Sequence, residues 1–197
     1  MIEKERRAVG LLISSVFVAG VLSPSLIAAH IPEAAFAATQ TNDFLTYYNS
    51  EYEIKIKYPA EWQTIEPEDD YVKAVFYSPP EGVSDPFSEL VMILIEDLPF
   101  KMKLTDYTEL AIRQMRASYP DMQILTSGPA ELAGNPAHKI VFTGTVEDYE
   151  DINIKGMMIW TIQDKKAYIV GFIAEVEQYS TYLQTAQTMV DSFEIVS

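Results

Sequence analysis

The run Leu90-Val91-Met92-Ile93-Leu94-Ile95 is six apolar residues without a break. Six residues suit a strand better than a helix, and successive side chains of a strand point to opposite faces. Both faces of this strand are therefore apolar, and both must be covered. Ile152 to Gln163 reads the same way, with Met157, Ile159 and Thr161 alternating against Met158, Trp160 and Ile162. So does Lys166 to Glu175, where Tyr168 to Ala174 is apolar on both sides. Asp164-Lys165 between these two segments predicts a tight hairpin turn, hence antiparallel order late in the chain. Ala137 to Val146 and Val72 to Tyr77 add two further strands. Glu53 to Tyr58 alternates strictly, with Glu53, Lys55 and Lys57 against Ile54, Ile56 and Tyr58. That is a strand with one wet face, closed by Pro59.

Two segments change to helical spacing. Leu104 to Ser118 places Tyr107, Leu110, Ala111 and Met115 in register, and Gln178 to Ser192 does so with Tyr179, Tyr182, Leu183, Ala186 and Val190, followed by Phe193. Both are amphipathic helices. Thr105 is read as the N-cap of the first, with Asp106 and Glu109 near the positive end of its dipole, and Pro120 stops it. Strands that are apolar on both faces need a helix on each side. The fold class predicted is α+β: a three-layer α/β/α sandwich around a central, largely antiparallel sheet.

The chain has 197 residues, 48% of them hydrophobic and 22% charged, with 8 Gly and 11 Pro. This mix excludes a collagen, a low-complexity coil and a multi-span membrane protein. Lys and Arg number 14 against 29 Asp and Glu, a formal net charge of -15. A grip on nucleic-acid phosphates needs clustered cations, so nucleic acid is not an expected partner. Cysteine is absent, which removes disulfides, thiolate zinc sites, a cysteine nucleophile and lipid attachment through an N-terminal cysteine.

Residues 1–37 differ in kind from the rest. Lys4, Arg6 and Arg7 precede an apolar stretch from Ala8 to Leu22, and Ala35-Phe36-Ala37 is a small-x-small triplet. That is the anatomy of a secretory signal, released to leave a chain starting near Ala38. The rival reading is a single uncleaved anchor running on to Ala29, against which Pro24 argues. Either way the folded part lies outside the cytoplasm. Residues 38–43 form a short polar linker, and 44–197 form one domain.

The segment Tyr52-x-Ile54-x-Ile56-x-Tyr58-Pro59-x-x-Trp62 resembles the opening of PsbP-like domains, the extrinsic subunits of photosystem II's oxygen-evolving complex and their relatives. Further landmarks follow in order. They are Val75-Phe76-Tyr77-Ser78-Pro79, Leu104-Thr105-Asp106-Tyr107, Gly134-Asn135-Pro136-Ala137-His138, Lys166-Ala167-Tyr168-Ile169-Val170 and Met189-Val190-Asp191-Ser192-Phe193. The resemblance runs from about Phe44 to Ile195 and implies a central antiparallel sheet between helices. It also implies a non-enzymatic protein bound peripherally to a membrane complex outside the cytoplasm, where it assists assembly or retention of calcium and chloride. A Ran-binding nuclear relative shares the fold, and the leader argues against that role here.

His138 is the only histidine beyond the leader, so a three-histidine zinc site is impossible and any serine triad would have to use it. It alternates with Ile140 and Phe142 and reads as a structural histidine with a satisfied hydrogen bond. Gly-x-Ser-x-Gly, Gly-x-Gly-x-x-Gly and Gly-Lys-Ser/Thr sequences are all absent, so hydrolase and nucleotide readings lose their usual support. Two acidic clusters remain. The first holds Glu66, Glu68, Asp69 and Asp70, and the second Glu147, Asp148, Glu150 and Asp151. Each reads either as a solvated loop or as a weak divalent-cation site, calcium by family resemblance. Asp69, Asp70, Glu147, Asp148, Glu150 and Asp151 are the candidate ligands, although the spacing matches no twelve-residue calcium loop. The aromatics, with Trp62 expected to cap the sheet edge, read as core. Two functions survive: an accessory subunit of a membrane complex, or a secreted module for a small ligand or lipid.

Overall fold

The computed structural model describes residues 43–82, 85, 87–146 and 152–196. The leader, most of the linker and the second acidic cluster lie outside the described residues. The strands are β1 (Phe44–Asn49), β2 (Ile54–Pro59), β3 (Gln63–Ile65), β4 (Val72–Tyr77), β5 (Leu90–Asp97), β6 (Gln123–Leu132), β7 (Asn135–Val146), β8 (Ile152–Gln163), β9 (Lys166–Glu175) and β10 (Glu194–Ile195). The helices are α1 (Leu104–Ser118) and α2 (Tyr179–Asp191).

Seven strands form the main sheet in the order β3-β4-β5-β9-β8-β7-β6. Every neighbouring pair in it is antiparallel. Strand β5, apolar on both faces, sits inside this sheet between β4 and β9, as its composition requires. Leu90, Met92 and Leu94 of β5 join Tyr107, Ala111 and Met115 of α1 in one core. Val91, Ile93 and Ile95 join Tyr179, Ala186, Met189 and Val190 of α2 in the other. The three layers are those expected from the sequence, with one addition. A second sheet, ordered β1-β2-β10, contributes Ile54 and Ile56 to the α2 side.

The two tight hairpins follow from backbone chemistry. Asp164 at the β8–β9 turn has φ 56°, and Ala133 and Gly134 between β6 and β7 have φ 50° and 71°. Such left-handed residues match the right-handed twist of the strands they join. Two local expectations are corrected. Glu53 does not begin a strand: its φ of 54° puts it in the turn, and β2 starts at Ile54. Thr105 is not the N-cap of α1. Lys103 takes that place with no side-chain cap bond, while Thr105 donates to Asp106 Oδ1 at 3.3 Å. The buried face of α1 sets where it begins, since packing outweighs a single cap.

Trp62 is 5% exposed and packs edge-on to Tyr182 of α2, ring centroids 6.1 Å apart. It therefore sits beside the edge strand β3 and closes the core between α2 and the main sheet at that edge. The edge strand β6, the short β3 and β10, and the half-exposed β1 carry no strong periodicity, which is why the sequence does not announce them.

Candidate functional site

Glu96 continues the parity of Leu90, Met92 and Leu94 and so points at α1. It is 4% exposed. Tyr107, in the first turn of α1, donates its hydroxyl to Glu96 Oε2 at 2.9 Å, while Oε1 is buried without a partner. Burial pushes the Glu96 carboxyl up to about 7, and the Tyr107 hydrogen bond only partly opposes it. Burial, with the carboxyl beside it, also raises the Tyr107 phenol well above its ordinary value. A cavity of about 20 Å³ adjoins the pair, lined among others by Leu94, Met115, Met158 and Trp160. That is room for about one water. On the same side Trp160 Nε1 donates to Thr108 Oγ1 at 2.9 Å, so two side-chain hydrogen bonds fasten α1 to the sheet.

Glu89 precedes the other end of β5 with the opposite parity, and it is 1% exposed. Ser78 donates its hydroxyl to Glu89 Oε2 at 3.0 Å, and Oε1 again has no partner. Burial pushes this carboxyl to about 7 as well, with the charges of Glu81 and Asp85 adding. Glu81 accepts from Gln178 and from the Tyr182 hydroxyl at the start of α2. Asp85 accepts from the backbone N–H of Glu81 at 2.7 Å and of Phe87 at 3.1 Å. Glu175 is raised by burial, with Asp85, Glu81 and Glu177 adding. Acid thus gathers at this end of β5 and β9, and the donors it meets there are neutral.

The first acidic cluster is dispersed into separate structural tasks. Asp69 Oδ1 accepts the N–H groups of Tyr71 and Val72 at 2.7 and 2.8 Å, an Asx-type turn leading into β4. Asp70 offers its backbone carbonyl to Lys73 Nζ at 2.6 Å. Glu66 Oε1 accepts from the Tyr47 hydroxyl at 2.6 Å, and that phenol is pushed up to about 12, chiefly by burial. Among the described residues, no three His, Asp or Glu stand close enough to hold a metal ion. Glu147, Asp148, Glu150 and Asp151 lie outside the described residues.

His138 Nε2 shares a hydrogen bond of 2.8 Å with Ser127 Oγ on β6, and its ring stacks on Trp160 at 5.4 Å. Burial holds its pKa below the ordinary value. The Ser127–His138 contact lies across two paired strands, and no described carboxylate bonds the ring to orient it as a general base. The structure thus gives the histidine a structural setting. Glu89 and Glu96, its two most perturbed carboxyls, were not singled out from the sequence. A signal was present: an acid continuing a run apolar on both faces must place its side chain on one of them.

The family model for PsbP-like proteins matches residues 10–195. The chain belongs to the PsbP-like family. Cyanobacterial PsbP from Synechocystis sp. PCC 6803 has a similar structure, with a TM-score of 0.58 at 16% identity, covering 85% of this chain and 98% of that one. The Mycobacterium tuberculosis protein LpqN, involved in cell envelope biogenesis, gives 0.58 at 10% identity, covering 79% and 91%. The Saccharomyces cerevisiae Ran-binding protein Mog1p gives 0.55 at 9% identity, covering 79% and 96%. At such identities these likenesses show the fold. No curated protein matches the sequence. PsbP-like proteins are extracytoplasmic or lumenal and generally non-catalytic, and among the described residues no helix is long and apolar enough to cross a membrane.

Proposed function

We propose that this PsbP-like protein is a non-enzymatic accessory subunit. It is exported, docks peripherally on a membrane-protein complex, and assists that complex's assembly or its retention of calcium and chloride. The observation that carries this reading is the family match over residues 10–195. The packing of the described residues supports it. A carrier of a small organic ligand or lipid needs a pocket of roughly 300 Å³ or more. The cavity beneath α1 is about 20 Å³, far below that size.

The test is affinity isolation of the tagged full-length chain from detergent-solubilised membranes of its own host. A defined set of membrane subunits should co-elute and should be released by high salt, as befits a peripheral contact between charged surfaces. Recovery of the chain alone from membranes that retain their complexes intact would sink the proposal.

A further inference from the structure

We propose that Glu96 and Tyr107 form a proton-operated latch, which holds helix α1 on the sheet while Glu96 is protonated and lets its first turn lift when Glu96 ionises. Three observations converge on it. The Glu96 carboxyl is buried, with one hydroxyl donor at 2.9 Å and one oxygen that has no partner. It borders a cavity of about 20 Å³ between α1 and the sheet, a place where the seam beside it is incompletely packed. The donor comes from the first turn of α1 itself, which makes the contact a tie between the two layers.

A neutral acid tolerates this setting, because it carries no charge to solvate. A carboxylate there has a single neutral donor in an apolar surround, and a buried charge without a partner is strongly unfavourable. Even with one water in the adjoining cavity its hydration stays incomplete, and bulk water reaches it once the start of α1 moves away, exposing Tyr107 and the neighbouring apolar face.

Lys103 at the N-cap of α1 is exposed, and among the described residues no cation acts on the Glu96 carboxyl. From α1 it meets Tyr107, with Asp106 and Glu109 on the exposed side. From the segment before β4 the nearest titratable group is Tyr71, beyond which stand Asp69 and Asp70. On β9, Glu96 pairs with Ala167, flanked by Lys166 and Tyr168. The Lys166 ammonium is already held by Asp97 at 3.0 Å. On β8, Trp160 lines the same cavity, and His138 stacks on it with a pKa held below the ordinary histidine value. Burial places the Glu96 titration near pH 7. Glu89 lies at the other end of β5 and points at α2, so its ionisation does not act on α1.

Hydrogen–deuterium exchange of the full-length chain between pH 5.5 and 8.5, with labelling times scaled for intrinsic exchange, tests the latch. Peptides covering Leu104–Ser118 should lose protection about tenfold relative to β8 and β9 as pH rises through neutrality. Glu96→Gln should abolish that differential loss, and Glu89→Gln should leave it intact. Parallel changes in helix and strands of the wild type, or a differential loss that persists in Glu96→Gln, would overturn the proposal. Should Glu96→Gln fail to fold, Tyr107→Phe decides. Removing the carboxylate's one donor should move the midpoint to higher pH, and an unmoved midpoint refutes the latch.

Discussion

The outer end of the Phe142 ring on β7 stands where a β-carbon would stand on Gly156, the residue directly opposite it on β8. Phe142 is fully buried, in the core that also receives α1. The glycine is there so that a neighbouring strand can place an aromatic ring against bare backbone.

Gly156→Ala should therefore destabilise the protein by overpacking, by about 1–3 kcal/mol or more. The ring's far end is closed in by the core, so a small shift does not relieve the overlap. A denaturant midpoint equal to wild type would show that the ring can move. Adding Phe142→Leu should recover part of the loss, a coupling that a double-mutant cycle measures directly.

Stability should fall as pH rises through neutrality. The carboxyls of Glu89 and Glu96 lie near 7 in the folded protein against an ordinary 4.5. Between those values the folded state holds protons that the unfolded state has released. Their stabilising contribution is thus complete below about 4.5, declines across the window and is lost above 7. Each group contributes on the order of 3 kcal/mol to this change. His138, whose folded pKa is lowered, acts in the opposite sense on the acid side. Urea melts at pH 5 and 8 should differ in wild type and differ less in Glu89→Gln and in Glu96→Gln. Identical pH profiles in all three proteins would refute the assignment.

Trp62→Ala removes a ring packed between α2 and the main sheet. A loss of roughly 3–5 kcal/mol is expected for a buried aromatic of this size, seen as a lowered unfolding midpoint with the linear dependence on denaturant retained. An unchanged midpoint would contradict the burial of this ring.

If the acidic segment 147–151 binds calcium, as the family resemblance implies, millimolar calcium should raise the melting temperature more than sodium chloride of matched ionic strength. Changing Asp148 and Asp151 to Asn should remove the difference. Equal responses to both salts mean screening of the net charge of -15, and calcium then drops out of the functional reading.

Intact mass of the protein recovered from its own host should show a chain beginning near Ala38. A species that retains Met1 to Leu22 and needs detergent for extraction would establish the anchor instead.

The sequence by itself determined the layers. Strands apolar on both faces at Leu90 to Ile95, Ile152 to Gln163 and Lys166 to Glu175 cannot be stable unless covered twice, and two amphipathic helices were there to cover them. It also marked the Asp164-Lys165 turn and the six family landmarks, because local backbone chemistry and alternation are written in neighbouring residues. Tertiary structure decided the rest. β6 is polar and half exposed, and it is a strand because β7 offers it a partner along its length. Asp69 and Asp70 looked like ligands side by side, yet one closes a turn and the other receives a lysine through its backbone. Glu89 and Glu96 are ordinary acids in the sequence. Their perturbation arises from desolvation, which hydroxyl partners 11 residues away in each case only partly oppose, and only the folded core brings these together.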